Sequence, residues 1–109
     1  MPAPPRDPDY CYLPRKVVES FLPSMSIDEC KLLPVLAALE VQTISTQTSK
    51  TVLGTLSGCK RKVIPKVMDR FQQLGFLTWS EISDDQIEYI LKWWDNDNDR
   101  PISFPRSIL

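Results

Sequence analysis

The sequence has no histidine and, in 109 residues, only three cysteines and three glycines. Without histidine the chain lacks the most common general base and a common metal ligand. Cys11, Cys30 and Cys59 are odd in number and widely spaced, so they predict neither a disulfide framework nor a zinc site, which needs four ligands at short spacings. The sequence also has no nucleophile elbow, phosphate-binding glycine loop or helical His-Glu pair. We therefore expect no catalytic activity, no metal and no cofactor.

The sequence also has no long apolar segment. No run approaches the roughly 18 apolar residues of a membrane-spanning helix, and the start, MPAPPRDPDY, lacks the basic and apolar regions of a signal peptide. These features predict a cytoplasmic protein, in the cytosol of a prokaryote or of a viral host. The composition predicts a flexible N-terminal tail at 1–11, one domain at 12–94 and an acidic, proline-containing C-terminal tail at 95–109.

The net charge of −1 hides a segregation of charge along the chain. Five basic residues and one acidic residue lie between Lys60 and Arg70, whereas seven acidic residues and one basic residue lie between Glu81 and Asp99. This distribution predicts a basic side and an acidic side, which attract different partners.

Local signals predict two helices in the first half of the chain. Pro14 suits a first helical turn, and the apolar spacing of VVESFL after it predicts a short docked helix. Ser26 and Glu29 form a capping-box pattern before the apolar stretch CKLLPVLAALEV, which predicts a central helix kinked at Pro34. The polar, β-branched stretch QTISTQTS at 42–49 predicts a connection or a short strand.

Two further helices joined by a tight turn are predicted next. A threonine or serine at 48–49 can cap a short helix over KTVLGTLS, and Gly58 lies at its exit, where glycine most easily adopts a left-handed turn. The second helix is predicted from about Arg61 to Leu74, before Gly75, with an apolar stripe of Ile64, Val67, Phe71 and Leu74. This order is the pattern of a helix-turn-helix.

The 26 residues VLGTLSGCKRKVIPKVMDRFQQLGFL, Val52 to Leu77, resemble the helix-turn-helix core of the winged-helix superfamily. The resemblance implies that the small residue Gly54 lets the helices approach closely and that LGFL leads into the wing. The preceding stretch, YLPRKVVESFLPSMSIDECKLLPVLAAL, is similar to the entry of plasmid and phage replication initiators. The chain departs from the family pattern at Pro65, which we expect to remove one helical hydrogen bond and bend the second helix.

The stretch after Leu77 has two interpretations. FLTWSEI, SDDQ and IEYILKWW match a hairpin of two β-rich runs around a polar turn, whereas residues 83–94 can alternatively form a helix with Ile87, Ile90, Leu91 and Trp94 on one face. The resemblance favours the hairpin. The predicted fold is then mainly α with a small β wing, an α+β winged helix-turn-helix.

The second helix of the helix-turn-helix carries the candidate binding residues. Its side opposite the apolar stripe presents Lys62, Lys66, Asp69 and Gln73. The resemblance implies that this ridge enters the major groove, where the lysines can donate to guanine and Asp69 can accept from cytosine. Phosphate contacts are then expected from Lys60, Arg61 and Arg70. The same pattern also fits a solvated amphipathic helix.

A second hypothesis uses the acidic hairpin and the adjacent tryptophans. Trp93 and Trp94 would face opposite sides of a strand, so one of them is expected to be exposed or covered by another chain. Acidic wing residues would repel DNA phosphates and attract a basic protein. This hypothesis predicts a partner or dimer surface formed by Trp93, Trp94, Asp84 and Asp85.

The sequence therefore predicts a sequence-specific double-stranded DNA-binding protein of a phage, plasmid or similar mobile element, acting as a transcriptional regulator or replication-origin binder. The alternative is a winged-helix adaptor, or an inhibitor of a nucleic-acid-binding host protein, that uses the acidic wing and the tryptophans. A homodimer or a protein partner is compatible with both hypotheses, and neither involves a membrane.

Overall fold

The computed structural model describes residues 9–40, 45–93 and 102–105, which form a small α+β domain. The α-helices of these residues are α1 (Ile27–Leu39), α2 (Lys50–Ser57) and α3 (Ile64–Gln73). The strands are β1 (Tyr10–Leu13), β2 (Thr46–Ser49), β3 (Leu77–Glu81), β4 (Gln86–Leu91) and β5 (Ile102–Pro105). Shorter helical turns cover Val17–Phe21, Leu22–Ser24 and Arg61–Val63. Within the described ranges, no helix has the length and apolarity needed to cross a membrane.

The hairpin interpretation of the stretch after Leu77 is confirmed. Strands β3 and β4 pair antiparallel from Leu77 opposite Leu91 to Glu81 opposite Ile87, and β2 pairs with the other edge of β4. The resulting sheet has the order β2-β4-β3. Burial alternates along β4, as in a strand with one face against the core: Ile87, Tyr89 and Leu91 are buried, while the residues between them are not. The helix alternative for this stretch is wrong.

A second sheet joins the two ends of the described chain. Strand β1 pairs antiparallel with β5, from Tyr10 opposite Pro105 to Leu13 opposite Ile102. The composition predicted that Tyr10 and Cys11 belong to the N-terminal tail and Ile102–Pro105 to the C-terminal tail. The structure instead pairs these residues, because Cys11 and Leu13 are buried and Phe104 packs against the core.

Helix α1 begins as its capping box predicts. The Glu29 amide donates to Ser26 Oγ at 3.2 Å, and the Ser26 amide donates to Glu29 Oε1 at 2.9 Å. Helical residues continue on both sides of Pro34, so the proline does not end the helix. The short helix predicted after Pro14 is present as a π-helical turn at Val17–Phe21, whose first two amides donate to the Pro14 carbonyl.

The expected bend at Pro65 is wrong because the helix begins later than predicted. Arg61–Val63 forms a separate 3₁₀ turn, and α3 starts at Ile64, which places Pro65 in its first turn. First-turn amides have no partner within the helix, so the missing amide of a proline there removes no hydrogen bond.

The core joins α1, α3 and the three-stranded sheet around Tyr89. Its side chain is 1% exposed, and its hydroxyl donates to the Leu36 carbonyl at 2.7 Å. Leu36 lies in the last turn of α1, so this hydrogen bond ties β4 to the end of the helix. Burial raises the pKa of Tyr89 above its usual value, so the hydroxyl stays protonated and can donate.

We expect Tyr89→Phe to lower the free energy of unfolding by about 1–3 kcal/mol, because the change leaves the Leu36 carbonyl buried without this donor. Urea denaturation measures the difference. Tyr10→Phe is the matched control, since Tyr10 is 40% exposed and its hydroxyl can bond water. Equal stability of both variants would show that the Leu36 contact contributes nothing.

Candidate nucleic-acid interface

The turn between α2 and α3 depends on two glycines. Gly58 ends α2 with φ of 79°, in the left-handed region, and its amide donates to the Gly54 carbonyl at 2.9 Å. A Cβ on Gly54 would lie 2.9 Å from the Cys59 carbonyl oxygen, closer than side-chain carbons normally approach. The absence of a side chain at Gly54 therefore lets the turn at Cys59 lie close to α2. The resemblance implied a close approach of the two helices, whereas the atoms nearest to Gly54 belong to the turn between them.

The predicted ridge on α3 and the preceding turn is exposed. Ile64, Val67 and Phe71 are buried on the opposite side of the helix, together with Met68. Because these apolar side chains anchor the inner side, the polar side chains face outward. The exposed predicted residues are Lys60, Arg61, Lys62, Lys66, Asp69, Arg70 and Gln73.

Three of the predicted cations form no ion pair with another described residue. In the part of the chain that the structure describes, no carboxylate lies within 4.0 Å of the amino groups of Lys60, Lys62 or Lys66. Within these residues their charges are therefore not neutralised by ion pairs and can attract an anion.

Arg61, expected to contact phosphate, instead contacts the tip of the β3–β4 hairpin. Its Nε donates to Asp85 Oδ1 at 2.8 Å, and its Nη2 donates to Asp84 Oδ2 at 3.3 Å. The hydrogen bond from Arg61 lowers the pKa of the Asp85 carboxyl below its usual value. The sequence does not indicate this contact, because Arg61 and Asp85 are 24 positions apart and no local pattern links them.

Arg70 and Asp69 also have partners within the domain. Arg70 Nε lies 3.8 Å from Glu29 Oε2, a long contact that leaves the arginine side chain 56% exposed. Asp69 Oδ1 accepts a hydrogen bond from Trp79 Nε1 at 3.0 Å. One oxygen of the carboxylate predicted to read cytosine is thus already engaged by β3.

Lys50 was not among the predicted site residues. Lys50 is the first residue of α2, and its side chain is only 9% exposed. Its Nζ lies 3.1 Å from Glu81 Oε2. This ion pair links α2 to β3 across 31 positions of sequence. No local pattern signals such a pair, since neither residue lies near the other in the chain.

The predicted partner surface is not assembled as expected. Trp93 is 6% exposed and lies in the core, with its ring centroid 6.1 Å from that of Phe76. Trp93 is therefore not the exposed member of the pair, and the expectation that one of the two tryptophans is exposed stays a prediction. Trp94 lies outside the described residues, and both Asp84 and Asp85 contact Arg61.

The described residues contain no cluster of three or more histidine, cysteine, aspartate or glutamate side chains placed to hold a metal ion. Comparison with models of known protein families, with curated proteins and with solved structures gives no match for this chain.

Proposed function

We propose that this protein is a winged helix-turn-helix protein that binds double-stranded DNA sequence-specifically through α3. The observation that supports the proposal most strongly is the exposed ridge on α3 and its turn, where Lys60, Lys62 and Lys66 have no ion pair within the described chain. Proteins bind DNA largely by exchanging condensed counterions for such cations.

The order of elements supports the winged-helix assignment. Helix α1, strand β2, helices α2 and α3, and the β3–β4 hairpin follow one another in sequence, and β2 closes the sheet against β4. In this arrangement α3 takes the place of the recognition helix and the hairpin takes the place of the wing. The tight turn at Gly54 and Gly58 adds a local feature of helix-turn-helix proteins.

The charges favour α3 over the wing as the DNA-contacting element. Asp84 and Asp85 at the hairpin tip would repel phosphates, whereas Lys62 and Lys66 lie about one helical turn apart on the exposed side. We therefore assign base contacts to Lys62, Lys66, Asp69 and Gln73, and backbone contacts to Lys60 and Arg70. The protein then acts by binding alone, without catalysis or a cofactor, as a transcriptional regulator or replication-origin binder of a phage, plasmid or similar element.

The adaptor hypothesis has less support. It relied on exposed tryptophans and a free acidic wing, but Trp93 is buried and both tip aspartates contact Arg61. A homodimer or protein partner stays a prediction that rests on sequence alone.

Selection of binding sites from random duplex DNA tests the proposal. We expect a defined sequence to be enriched, and the affinity for that duplex to fall with salt at a log-log slope of about −0.9 for each phosphate contact. The two assigned backbone contacts, Lys60 and Arg70, would alone give a slope of about −1.8. Fluorescence anisotropy across a range of NaCl concentrations measures the slope. No enriched sequence, together with an affinity that is independent of salt, would contradict the proposal.

A further inference from the structure

The tip of the β3–β4 hairpin is attached to the helix-turn-helix by several hydrogen bonds. Asp85 Oδ1 accepts from the Thr51 amide at 3.2 Å, from Thr51 Oγ1 at 3.0 Å and from Arg61 Nε at 2.8 Å. The Asp85 carbonyl accepts from the Lys50 amide at 2.9 Å. One residue of the hairpin thus binds the start of α2 and the turn before α3 together.

Asp84 also contacts the guanidinium group of Arg61. Arg61 Nη2 donates to the Asp84 carbonyl at 3.1 Å and to Asp84 Oδ2 at 3.3 Å. Arg61 therefore offers two of its nitrogens to the hairpin tip, in the forked arrangement by which arginine also binds phosphate. A phosphate that approached Arg61 from solvent would compete with these two carboxylates.

The contact also changes the charge at the start of the proposed DNA-binding ridge. Lys60, Arg61 and Lys62 are three consecutive cations, and Asp84 and Asp85 place two negative charges beside the middle one. The Arg61 side chain is 46% exposed, that of Asp84 is fully exposed and that of Asp85 is 35% exposed, so water reaches both ion pairs and screens them. An anion of high charge density can therefore displace them.

We propose that the hairpin tip, Asp84 with Asp85, is an autoinhibitory contact that withholds Arg61 from DNA. This inference rests on the proposed function, because the competing ligand is a phosphate of the bound duplex. In the free protein the tip occupies Arg61. In the complex Arg61 binds a phosphate instead. Breaking its contacts with the tip costs free energy, so the protein binds DNA more weakly than it would without those contacts.

The test is a double-mutant cycle on DNA affinity with the full chain. We expect D84N/D85N to bind the selected duplex about tenfold more tightly, equivalent to about 1.4 kcal/mol, and to steepen the salt slope by about one. Asparagine keeps an oxygen that can accept from Thr51, so this contact at the start of α2 is kept, and the Ser49 cap is unaffected. In an R61A background the same two changes should give little further gain, because no arginine is released.

Glu88→Gln is the matched control. It removes one negative charge from the same hairpin, but Glu88 contacts Ser45 and Ser80 rather than Arg61. We expect no steepening of the salt slope in this variant. An equal gain from E88Q, or a full gain from D84N/D85N in the R61A background, would overturn the proposal and assign the effect to net charge.

A readout without DNA separates failure of this inference from failure of the proposed function. The Arg61 Nε–H resonance in a nitrogen-15 NMR spectrum should shift in D84N/D85N relative to the wild type, while thermal melting shows that the fold is kept. An unshifted Arg61 resonance would overturn the contact itself, whatever the protein binds. A shifted resonance combined with no DNA binding by any variant would overturn the proposed function and the inhibition with it.

Discussion

Replacing both Lys62 and Lys66 with alanine should reduce the affinity for the selected duplex by roughly 30-fold to 10⁴-fold. Alanine at a base-reading position costs about 1–3 kcal/mol, and two such losses together give about 2–6 kcal/mol if they add. Both side chains are exposed and have no ion pair in the described part of the chain, so their removal should leave the fold unchanged. Fluorescence anisotropy with the selected duplex and a scrambled duplex measures the loss.

The distribution of the loss between the two duplexes identifies the role of each side chain. Lys62, Lys66 and Asp69 should affect the selected duplex more than the scrambled one, whereas Arg70→Ala should weaken both alike. Lys31→Ala is the matched control, because Lys31 is an exposed lysine on α1 rather than on α3. Uniform losses in all variants would contradict base reading by α3, and unchanged affinity of the double variant would exclude α3 as the interface.

The second large effect is expected at Gly54. Gly54→Val should lower the free energy of unfolding by about 3 kcal/mol or more, because its Cβ would lie 2.9 Å from the backbone carbonyl oxygen of Cys59. No side-chain rotation can relieve this clash, since both atoms are fixed by the backbone. The turn between α2 and α3 would have to move. A loss of this size corresponds to a melting temperature lower by roughly 12 °C or more, which differential scanning calorimetry measures.

Thr55→Val is the matched control for Gly54→Val. It introduces the same valine one position further along α2, on an exposed site, where substitutions usually change stability by less than about 0.5 kcal/mol. Gly54→Ala should lie between the two, since it adds the clashing Cβ but also gains about 1 kcal/mol of helix propensity. Equal melting temperatures for Gly54→Val and Thr55→Val would contradict the close approach at this glycine.

Features that depend on neighbours within one helical turn follow from the sequence. The Ser26–Glu29 capping box joins residues three positions apart. Gly58 and Gly75 adopt positive φ, 79° and 82°, directly after helices, where few other residues can do so. The inner side of α3 is equally local, because the 3.6-residue period places Ile64, Val67 and Phe71 on one side whatever they pack against.

The stretch after Leu77 shows where local patterns become ambiguous. Ile87, Ile90 and Leu91 satisfy a helical spacing, whereas Ile87, Tyr89 and Leu91 satisfy a strand spacing, so the sequence supports both periods. Pairing of β4 with β2, about 40 residues earlier, and with β3 selects the strand. Pairing on both edges gives the backbone amides and carbonyls of β4 hydrogen-bond partners. The hydrogen bond from Tyr89 to the Leu36 carbonyl further stabilises the strand.

Contacts between distant residues were decided by the tertiary structure alone. The charges of Arg61 and Asp85 predicted a basic helix and an acidic wing, but only the folded hairpin places them 2.8 Å apart. Likewise, the strand alternation predicted for this stretch did not indicate whether Trp93 faces the core. The structure shows that Trp93 is buried, with its ring near that of Phe76. The sequence thus set the local elements and their charges, and tertiary packing determined which of those charges remain exposed to a partner.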